Sequence, residues 1–228
     1  MNTIIVIPTY NERNNIQPLV EEIFKVAPGM KILIVDDNSP DGTGRVADEL
    51  EKRYSQVKVL HREKKEGLSK AYIAGFKEAL KMNPDYILQM DADFSHHPKY
   101  IPEFLKEITN CDIVLGSRFI NINGLPVNVS NFSLLANRYV RWITGMKITD
   151  CLGGFKCFRK RVVEEIRPDN FISKGFIFQA EFVYRAYKEG FTIKEIPIVF
   201  YPRRSGASKK SKRIILEAFF KTILFRIF

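Results

Sequence analysis

The sequence predicts an α/β fold with a mostly parallel central sheet and helices on both faces. Its first half alternates short, nearly all-apolar runs with segments of helical period. That order is typical of parallel sheets that are covered on both sides. The length of 228 residues suits one such domain better than two. Hydrophobic residues make up 45% of the chain and charged residues 27%, as in ordinary globular proteins.

The first half contains five strand-like runs separated by four segments with helical spacing. The runs are Thr3–Ile7, Ile32–Asp36, Val57–Leu60, Tyr86–Met90 and Ile113–Gly116. The helical segments are Ile16–Val26, Gly44–Tyr54, Leu68–Lys81 and Lys99–Thr109. Because ligands of such sheets bind at the carboxyl ends of the strands, the residues that follow each run are the candidates for function.

The second half is less regular. A loop rich in Asn, Gly and Pro is predicted at 119–132, and helices are predicted at 134–144 and 176–189. A strand is expected at Thr192–Tyr201. A basic loop, 202–213, and an apolar helix, 214–228, complete the chain. We therefore expect a globular domain of residues 1–201 and a separate basic and amphipathic unit of residues 202–228.

The positive charge is concentrated toward the end of the chain. The net charge is +10, and residues 194–228 carry nine Lys or Arg against two Glu, a balance of +7. A basic segment of this kind points to an anionic partner, which is a lipid headgroup, a substrate phosphate or nucleic acid. Aromatic residues do not alternate with Lys and Arg in the basic loop, so nucleic acid is not expected.

The cysteines and the apolar runs bear on the compartment. Cys111, Cys151 and Cys157 are odd in number and lack a CxxC spacing, so we expect free thiols in a reducing compartment, the cytosol. The first apolar run is too short for a signal peptide. No window reaches the roughly 18 to 20 apolar residues that cross a bilayer.

Polar motifs follow three of the predicted strands. They are Pro8–Glu12, Asp36–Gly44 and Asp91–Asp93. Each has an ordinary structural explanation, since Asn and Glu are common at the start of helices and the sequence Asp-Asn-Ser-Pro-Asp-Gly is typical of turns. A lone Asp-x-Asp is also a weak signal. Three such motifs at the ends of strands are less easily explained this way, because a parallel sheet gathers them at one edge.

The chemistry of these residues suits a nucleoside diphosphate. Tyr10 can stack on a base, and Glu12 and Asp37 can accept hydrogen bonds from base or ribose. Asp91 and Asp93 offer the hard oxygen ligands that Mg²⁺ or Mn²⁺ prefers. A cation at this position would neutralise charge on a departing diphosphate.

The chain resembles inverting glycosyltransferases of family 2, which have the GT-A (Rossmann-like) fold, and within them the dolichol-phosphate mannose synthases. The resemblance covers almost the whole chain. It rests on the segments 6–12, 35–44, 90–98, 116–118, 153–156, 175–181 and 203–209.

The resemblance implies a donor site and a metal site. Residues implied to line the nucleoside pocket are Pro8, Tyr10, Glu12, Val35 and Asp37. The diphosphate would face Asp91, Ala92 and Asp93. Mg²⁺ or Mn²⁺ would be held by Asp91, Asp93 and Ser95, with Asp93 as the main ligand. Some relatives carry Gln where this chain has Ser95, so the third metal contact is the weakest of the three.

The resemblance also implies phosphate and acceptor contacts. Arg118, Arg203 and Lys209 match positions that contact phosphates. Ser133 and Asn137 fit a Ser-x-x-x-Asn element of the acceptor helix, and Arg138 is a further candidate for acceptor binding. Asp150 and Glu181 are expected to orient the acceptor, sugar hydroxyls or neighbouring Arg side chains, and neither is expected to be an essential general base. Some relatives have Arg where this chain has Val129, so Arg138 or Arg141 is expected to contact the acceptor phosphate instead.

The implied activity is inverting transfer of mannose from GDP-mannose to dolichyl or another polyprenyl phosphate at the cytosolic face of a membrane. Residues 1–201 would form the catalytic domain, and 202–228 an acceptor loop with a membrane-proximal helix. A membrane-anchoring subunit or a further membrane region is a possible partner. The alternatives are transfer of glucose or N-acetylglucosamine from a UDP donor and, more distantly, a non-enzymatic anion-binding protein.

For several other residues a structural role is at least as well supported as a functional one. His96 and His97 are better explained as turn residues than as metal ligands, because adjacent side chains point in different directions. Cys151 and Cys157 are expected to pack in the core. Trp142 fits a core anchor as well as a headgroup interface.

Overall fold

The central sheet has seven strands in the order β3-β2-β1-β4-β6-β5-β7. The computed structural model describes residues 1–120, 129–205 and 212–227, with only the backbone described for 212–217. Within these ranges β6 is antiparallel to both of its neighbours, and all other pairings are parallel. The strands are β1 (Thr3–Thr9), β2 (Lys31–Asp36), β3 (Val57–His61), β4 (Tyr86–Gln89), β5 (Ile113–Ser117), β6 (Lys156–Arg159) and β7 (Ile193–Pro197).

Helices cover both faces of this sheet. They are α1 (Arg13–Val26), α2 (Thr43–Arg53), α3 (Leu68–Lys81), α4 (Ile101–Glu107), α5 (Asn131–Thr144), α6 (Lys160–Ile166), α7 (Phe178–Lys188) and α8 (Lys212–Ile227). Apolar residues of α1, α2 and α4 form the core on one face. Those of α3, α5, α6, α7 and α8 form the core on the other. The predicted α/β architecture is confirmed.

Helix α3 approaches the sheet very closely at Gly75. A β-carbon at this position would lie 2.5 Å from Val6 Cγ1 and 2.9 Å from Val35 Cγ2, so any side chain would push the helix away from β1 and β2. On either side of Gly75, Tyr72 and Phe76 of α3 pack against α7. Tyr72 stacks on Phe178 with ring centroids 6.0 Å apart. This packing fixes α7 relative to the ends of β1 and β4.

The second half differs from the prediction in several places. Strand β6 and helix α6 were not predicted. Two of the four residues of β6, Lys156 and Arg159, are charged, so the strand does not stand out as an apolar run. Strand β7 ends at Pro197 rather than 201. Helix α5 begins at Asn131, inside the predicted loop, because the Ser130 hydroxyl caps it by accepting from the backbone N–H of Ser133 at 3.2 Å.

Helix α8 packs against α5 and α7. The Tyr139 ring stacks on Phe219 at 4.6 Å, and the buried Phe225 contacts Tyr184 at 5.6 Å. The division of the chain after residue 201 stays a prediction. None of the helices in the described ranges has both the length and the apolar character needed to cross a bilayer.

Candidate active site

A cavity of about 780 Å³ opens at the carboxyl ends of β1, β2 and β4. It is bounded on the other side by the start of α5, the start of α7 and the segment 200–203. The predicted site residues that line it are Pro8, Tyr10, Glu12, Asp37, Asp91, Ala92, Asp93, Ser95, Arg118, Ser133 and Arg203. The structure thus brings the three strand-end motifs together in one cavity.

Asp37 is buried and held by the segment that follows β3. Its carboxylate accepts from the backbone N–H groups of Glu66 at 3.2 Å and Gly67 at 3.1 Å, and it pairs with Arg62. From the same segment the ammonium of Lys65 lies 3.8 Å above the centre of the Tyr10 ring. Arg62 and Lys65 lie in a segment without a recognisable motif, so the sequence predicts no role for them.

Arg203 bridges two acidic groups of the cavity. Its guanidinium donates to Glu12 Oε1 at 2.7 Å and lies 2.8 Å from Asp93 Oδ2. The backbone of the same segment reinforces the contact, since the N–H of Arg204 donates to the carbonyl of Asp93 at 3.0 Å. Residues near the two ends of the chain therefore meet across the cavity. Lys209, predicted to act with Arg203, lies outside the described residues.

The two aspartates after β4 differ in their surroundings. Asp93 accepts from the backbone N–H of Ser95 at 3.0 Å and from its hydroxyl at 2.6 Å. Burial opposes ionisation of Asp93, but the Ser95 hydroxyl and Arg203 outweigh it and hold the pKa of Asp93 below its ordinary value. Asp91 accepts from the Tyr72 hydroxyl at 3.1 Å and is more exposed.

These two carboxylates suit a hard divalent cation. Both line the cavity, and Asp93 is an anionic oxygen donor at neutral pH because its pKa is lowered. Ser95 lines the cavity as well, but its hydroxyl proton is directed at Asp93, so it orients the main carboxylate. Across the described ranges no three His, Cys, Asp or Glu side chains cluster as a metal-binding group.

His96 and His97 occupy structural positions in the turn after β4. Nδ1 of His96 accepts from the backbone N–H of Asp91 at 3.0 Å, and its ring stacks on Phe155 at 5.1 Å. Burial lowers the pKa of His96, so the imidazole is neutral. His97 caps the following turn by accepting from the backbone N–H of Lys99 at 3.2 Å. Both side chains have the roles of turn residues.

Arg118 is positioned by a buried carboxylate. Its Nε and Nη2 donate to the two oxygens of Asp150 at 2.7 and 2.8 Å, the paired geometry that is strongest for this type of contact. Asp150 is 1% exposed and does not line the cavity. It therefore contributes by fixing the guanidinium of Arg118, which does line it.

Besides Asp150, four predicted residues do not line the cavity. Val35 is buried in the sheet, and Arg138 is exposed on α5 outside the cavity. Asn137 bridges the carbonyl of Thr149 and the backbone N–H of Cys151, which leaves its amide satisfied by the backbone.

Glu181 is also absent from the cavity wall, since it is fully buried below the start of α7. It accepts from the backbone N–H groups of Ile172 at 3.1 Å and Ser173 at 2.9 Å and pairs with Arg185. Val35, Asn137, Arg138 and Glu181 thus lie outside the cavity wall, and a contact between any of them and a ligand stays a prediction.

A buried polar network lies under the cavity floor. Lys156 is fully buried at the start of β6, and its ammonium donates to Oε1 of Gln179. The same Oε1 accepts from Nε2 of Gln89 at 2.7 Å, and Gln89 also donates to the carbonyl of Gly154 at 2.8 Å. Burial lowers the pKa of Lys156 from 10.5 to about 7, although Asp150 and Asp91 favour the charged form. Lys156 and Gln179 lie in segments that carry the family resemblance, but the sequence predicts no role for either residue.

The cysteines and Trp142 can now be placed. Cys111, Cys151 and Cys157 are buried free thiols, and burial raises the pKa of Cys151 to about 12, so the thiol is inert packing. Trp142 is 78% exposed, which excludes a core anchor.

Trp142 belongs to an exposed apolar surface shared by α5 and α8. Its members are Phe132, Leu134, Leu135, Trp142, Phe219, Phe220, Ile223, Leu224 and Ile227. Four of these residues lie on α5, where Arg138 and Arg141 are also exposed. Exposed apolar groups of this number mark a surface that contacts another phase or partner.

The pKa of Lys156 predicts how stability depends on pH. In the unfolded chain its pKa is 10.5, so between pH 7 and pH 10 the unfolded state binds more protons than the folded state. Raising the pH therefore stabilises the parent relative to Lys156→Met. We expect the difference in the free energy of unfolding to shift by about 2 kcal/mol toward the parent between pH 7 and pH 9.

Urea unfolding at the two pH values measures this shift. Lys106→Met, which changes an exposed lysine of α4, is the control and is expected to show no such shift. An unchanged difference between parent and Lys156→Met would contradict the lowered pKa.

Comparison with known proteins identifies the family of the chain. Residues 4–167 match the family described as Glycosyl transferase family 2. The chain is 39% identical over 224 residues to the polyprenol monophosphomannose synthase of Mycolicibacterium smegmatis, covering 96% of this chain and 84% of that protein. It is 37% identical over 221 residues to the undecaprenyl-phosphate mannosyltransferase of Micrococcus luteus, covering 96% and 91%.

Solved structures share the fold at lower identity. Glucosyl-3-phosphoglycerate synthase from Mycobacterium tuberculosis, in complex with Mn²⁺, UDP-glucose and phosphoglyceric acid, superposes with a TM-score of 0.73 at 13% identity, covering 99% of this chain and 79% of that one. TarS 1–349 of S. aureus superposes with a TM-score of 0.58 at 21% identity, covering 86% of this chain and 58% of that one. The family match spans most of the chain and both curated relatives exceed 30% identity, so the chain belongs to glycosyl transferase family 2.

Proposed function

We propose that this glycosyltransferase transfers mannose from GDP-mannose to a polyprenyl phosphate with inversion at the anomeric carbon. One observation carries the proposal: two carboxylates, Asp91 and Asp93, and two guanidinium groups, Arg118 and Arg203, line the same cavity. This combination suits a cation-bound diphosphate beside a second phosphate. The names of the two curated relatives, a polyprenol monophosphomannose synthase and an undecaprenyl-phosphate mannosyltransferase, support the same substrates.

The donor nucleoside would lie at the end of the cavity formed by Tyr10, Glu12 and Asp37. Asp37 is already oriented by Arg62 and two backbone N–H groups, so it can accept from the nucleoside without rearrangement. Lys65 covers the Tyr10 ring in the ligand-free chain and would move aside for a stacked base, or shift to the diphosphate.

Asp91 and Asp93 would hold Mg²⁺ or Mn²⁺ next to the diphosphate. The cation, when bound, supplies positive charge that neutralises the leaving diphosphate. Because Arg203 lies against Asp93, it would transfer its contact from the carboxylate to a phosphate oxygen when donor and cation bind. Ser95 keeps Asp93 oriented through this exchange.

The acceptor would need no general base. A lipid monophosphate has a second pKa near 6, by analogy with phosphorylated side chains, so it is mostly a dianion at neutral pH. Its oxygen attacks the anomeric carbon as the bond to the β-phosphate breaks, and GDP leaves without any proton transfer. Arg118 and Ser133 line the cavity where such a phosphate would enter. Asp150 and Glu181 lie outside the cavity wall, and each is paired with an arginine. Their positions support this mechanism.

The lipid substrate implies work at a membrane surface. The exposed apolar surface of α5 and α8 adjoins the cavity, since Phe132 and Ser133 of α5 line it. Apolar side chains flanked by Arg138 and Arg141 have the character of interfacial helices on anionic lipid. We propose that this surface docks on the cytosolic face of the membrane and delivers the lipid phosphate to Arg118.

The choice of donor tests the proposed function. We expect GDP-mannose to bind at least about tenfold more tightly than UDP-glucose in the presence of Mg²⁺, a difference of about 1.4 kcal/mol. Titration calorimetry measures both affinities, and mass spectrometry of the product formed with polyprenyl phosphate checks the transfer. Preference for the UDP donor would replace mannose by glucose or N-acetylglucosamine as the transferred sugar.

The second prediction concerns the cation. Asp93→Ala is expected to lower turnover by at least about 10²–10³-fold, since charge on the departing diphosphate would lose its compensation. EDTA should abolish the activity of the parent, and Mg²⁺ or Mn²⁺ should restore it. Asp169→Ala, which removes an exposed carboxylate outside the cavity, is the control. Full turnover of the parent in EDTA would rule out the role of the metal.

The third prediction concerns membrane docking. Binding to vesicles that contain anionic lipid should weaken as salt rises, and Trp142→Ser should reduce it about tenfold through lost apolar burial. Tyr187→Ser, at an exposed aromatic of α7, is the control and should bind as the parent does. Vesicle co-sedimentation measures the affinity. Equal binding of Trp142→Ser and the parent would show that this surface is not the docking site.

A further inference from the structure

Lys156 dictates the orientation of two buried amides. A lysine ammonium has donors and no acceptor, so the atom of Gln179 that faces it must be the carbonyl oxygen Oε1. Gln89 faces the same oxygen and must therefore present its NH₂ group, at 2.7 Å. The second N–H of that group goes to the carbonyl of Gly154 at 2.8 Å. One buried charge thus removes the ambiguity of both amides.

The consequence for the cavity lies in the other end of the Gln179 amide. Both lone-pair directions of Oε1 are taken by Lys156 and Gln89, so Gln179 can offer the cavity only its Nε2 donor. Gln179 lines the cavity near its floor and sits in the first turn of α7, which packing against α3 keeps in place.

Gly154 shows where this donor lies. A β-carbon on Gly154 would be 3.6 Å from Gln179 Nε2, 3.6 Å from Asp91 Oδ2 and 2.9 Å from His96 Cε1. The amide donor and the Asp91 carboxylate thus flank the same point of the cavity wall. A side chain at position 154 would press on His96, so glycine keeps the wall clear there.

A donor and an acceptor side by side suit a hydroxyl group, which can accept from one and donate to the other. A diphosphate oxygen could use only the donor, because it has no hydrogen to give to Asp91. We infer that Gln179 recognises a hydroxyl of the transferred sugar through Nε2, and that Lys156 is a positioning residue that acts through Gln179. This assignment rests on the proposed function, because it needs a nucleotide-sugar in the cavity.

The test separates the sugar from the nucleotide. Binding of GDP-mannose and of GDP is measured by calorimetry, with Mg²⁺, for the parent, Gln179→Met, Lys156→Met and the double variant. Gln179→Met should weaken GDP-mannose roughly tenfold to a hundredfold and leave GDP unchanged, as expected for one lost hydrogen bond in a buried site. Lys156→Met should show the same split. The double variant should be no weaker than Gln179→Met alone, since Lys156 acts through that amide.

Single-deoxy forms of GDP-mannose identify the hydroxyl. One of them should bind the parent roughly tenfold or more weakly than GDP-mannose, yet bind Gln179→Met as GDP-mannose does. Gln17→Met, on the exposed part of α1, controls for the substitution itself. If Lys156→Met does not fold, the deoxy series on Gln179→Met decides the matter.

Three results would overturn the inference. They are an equal loss for GDP and GDP-mannose, additive losses in the double variant, and a deoxy series that is the same in parent and Gln179→Met. If the parent prefers UDP-glucose, the proposed donor is wrong, and the same comparison is made with UDP-glucose and UDP. If the parent binds no nucleotide-sugar, the proposed function and this assignment both fail.

Discussion

The cavity depends on one electrostatic constraint: a carboxylate that is removed from water must have a charged or hydrogen-bonding partner. Five acidic groups at or below the cavity satisfy it through an arginine, whereas the more exposed Asp91 accepts from the Tyr72 hydroxyl. Asp37 is paired with Arg62, Asp150 with Arg118, Glu181 with Arg185, and both Glu12 and Asp93 with Arg203. Because these partners come from distant parts of the chain, the pairs fix the loops between them. The cavity is therefore rich in carboxylates, but the paired arginines bring its net charge close to neutral.

This pairing decides what the cavity can accept. Arg118 and Arg203 line a cavity that also contains Asp91 and Asp93, so cationic groups are already in place for two phosphates. They differ in availability. Arg118 is held on two oxygens of a fully buried partner, and its position is set before any ligand arrives. Arg203 lies on a segment that continues into the basic loop and contacts carboxylates that a cation or nucleotide would claim. We regard the first as a fixed anchor and the second as a contact that is exchanged on binding.

Sequence patterns were sufficient to predict the parallel half of the fold and the meeting of the three polar motifs at one edge of the sheet. Strands β1, β2 and β4 are apolar runs followed by polar motifs, and parallel pairing necessarily brings those motifs to one edge. The roles of Lys156, Gln179 and Arg62 were out of reach, since they depend on pairing between segments up to about ninety residues apart. Family motifs place Glu181 and Asn137 near the acceptor but do not give the direction of their side chains. Burial against backbone N–H groups, which no local pattern reports, gave them structural roles.

The reversed direction of β6 has a consequence for folding. Its residues alternate between the two faces of the sheet, with Lys156 and Phe158 on the face of α7 and Phe155 and Cys157 on the other. Moving its pairing with β4 by one residue would exchange the faces. The Lys156 ammonium would then enter the aliphatic cluster built from α1, α2 and α4, where no amide or carboxylate of the Gln179 network could reach it. A misaligned β6 is therefore penalised, because this lysine would have to lose its proton at neutral pH, well below its pKa of 10.5 in the unfolded chain. In this way the lysine that orients the cavity floor also selects the correct alignment of the one strand that runs against the others in the described sheet.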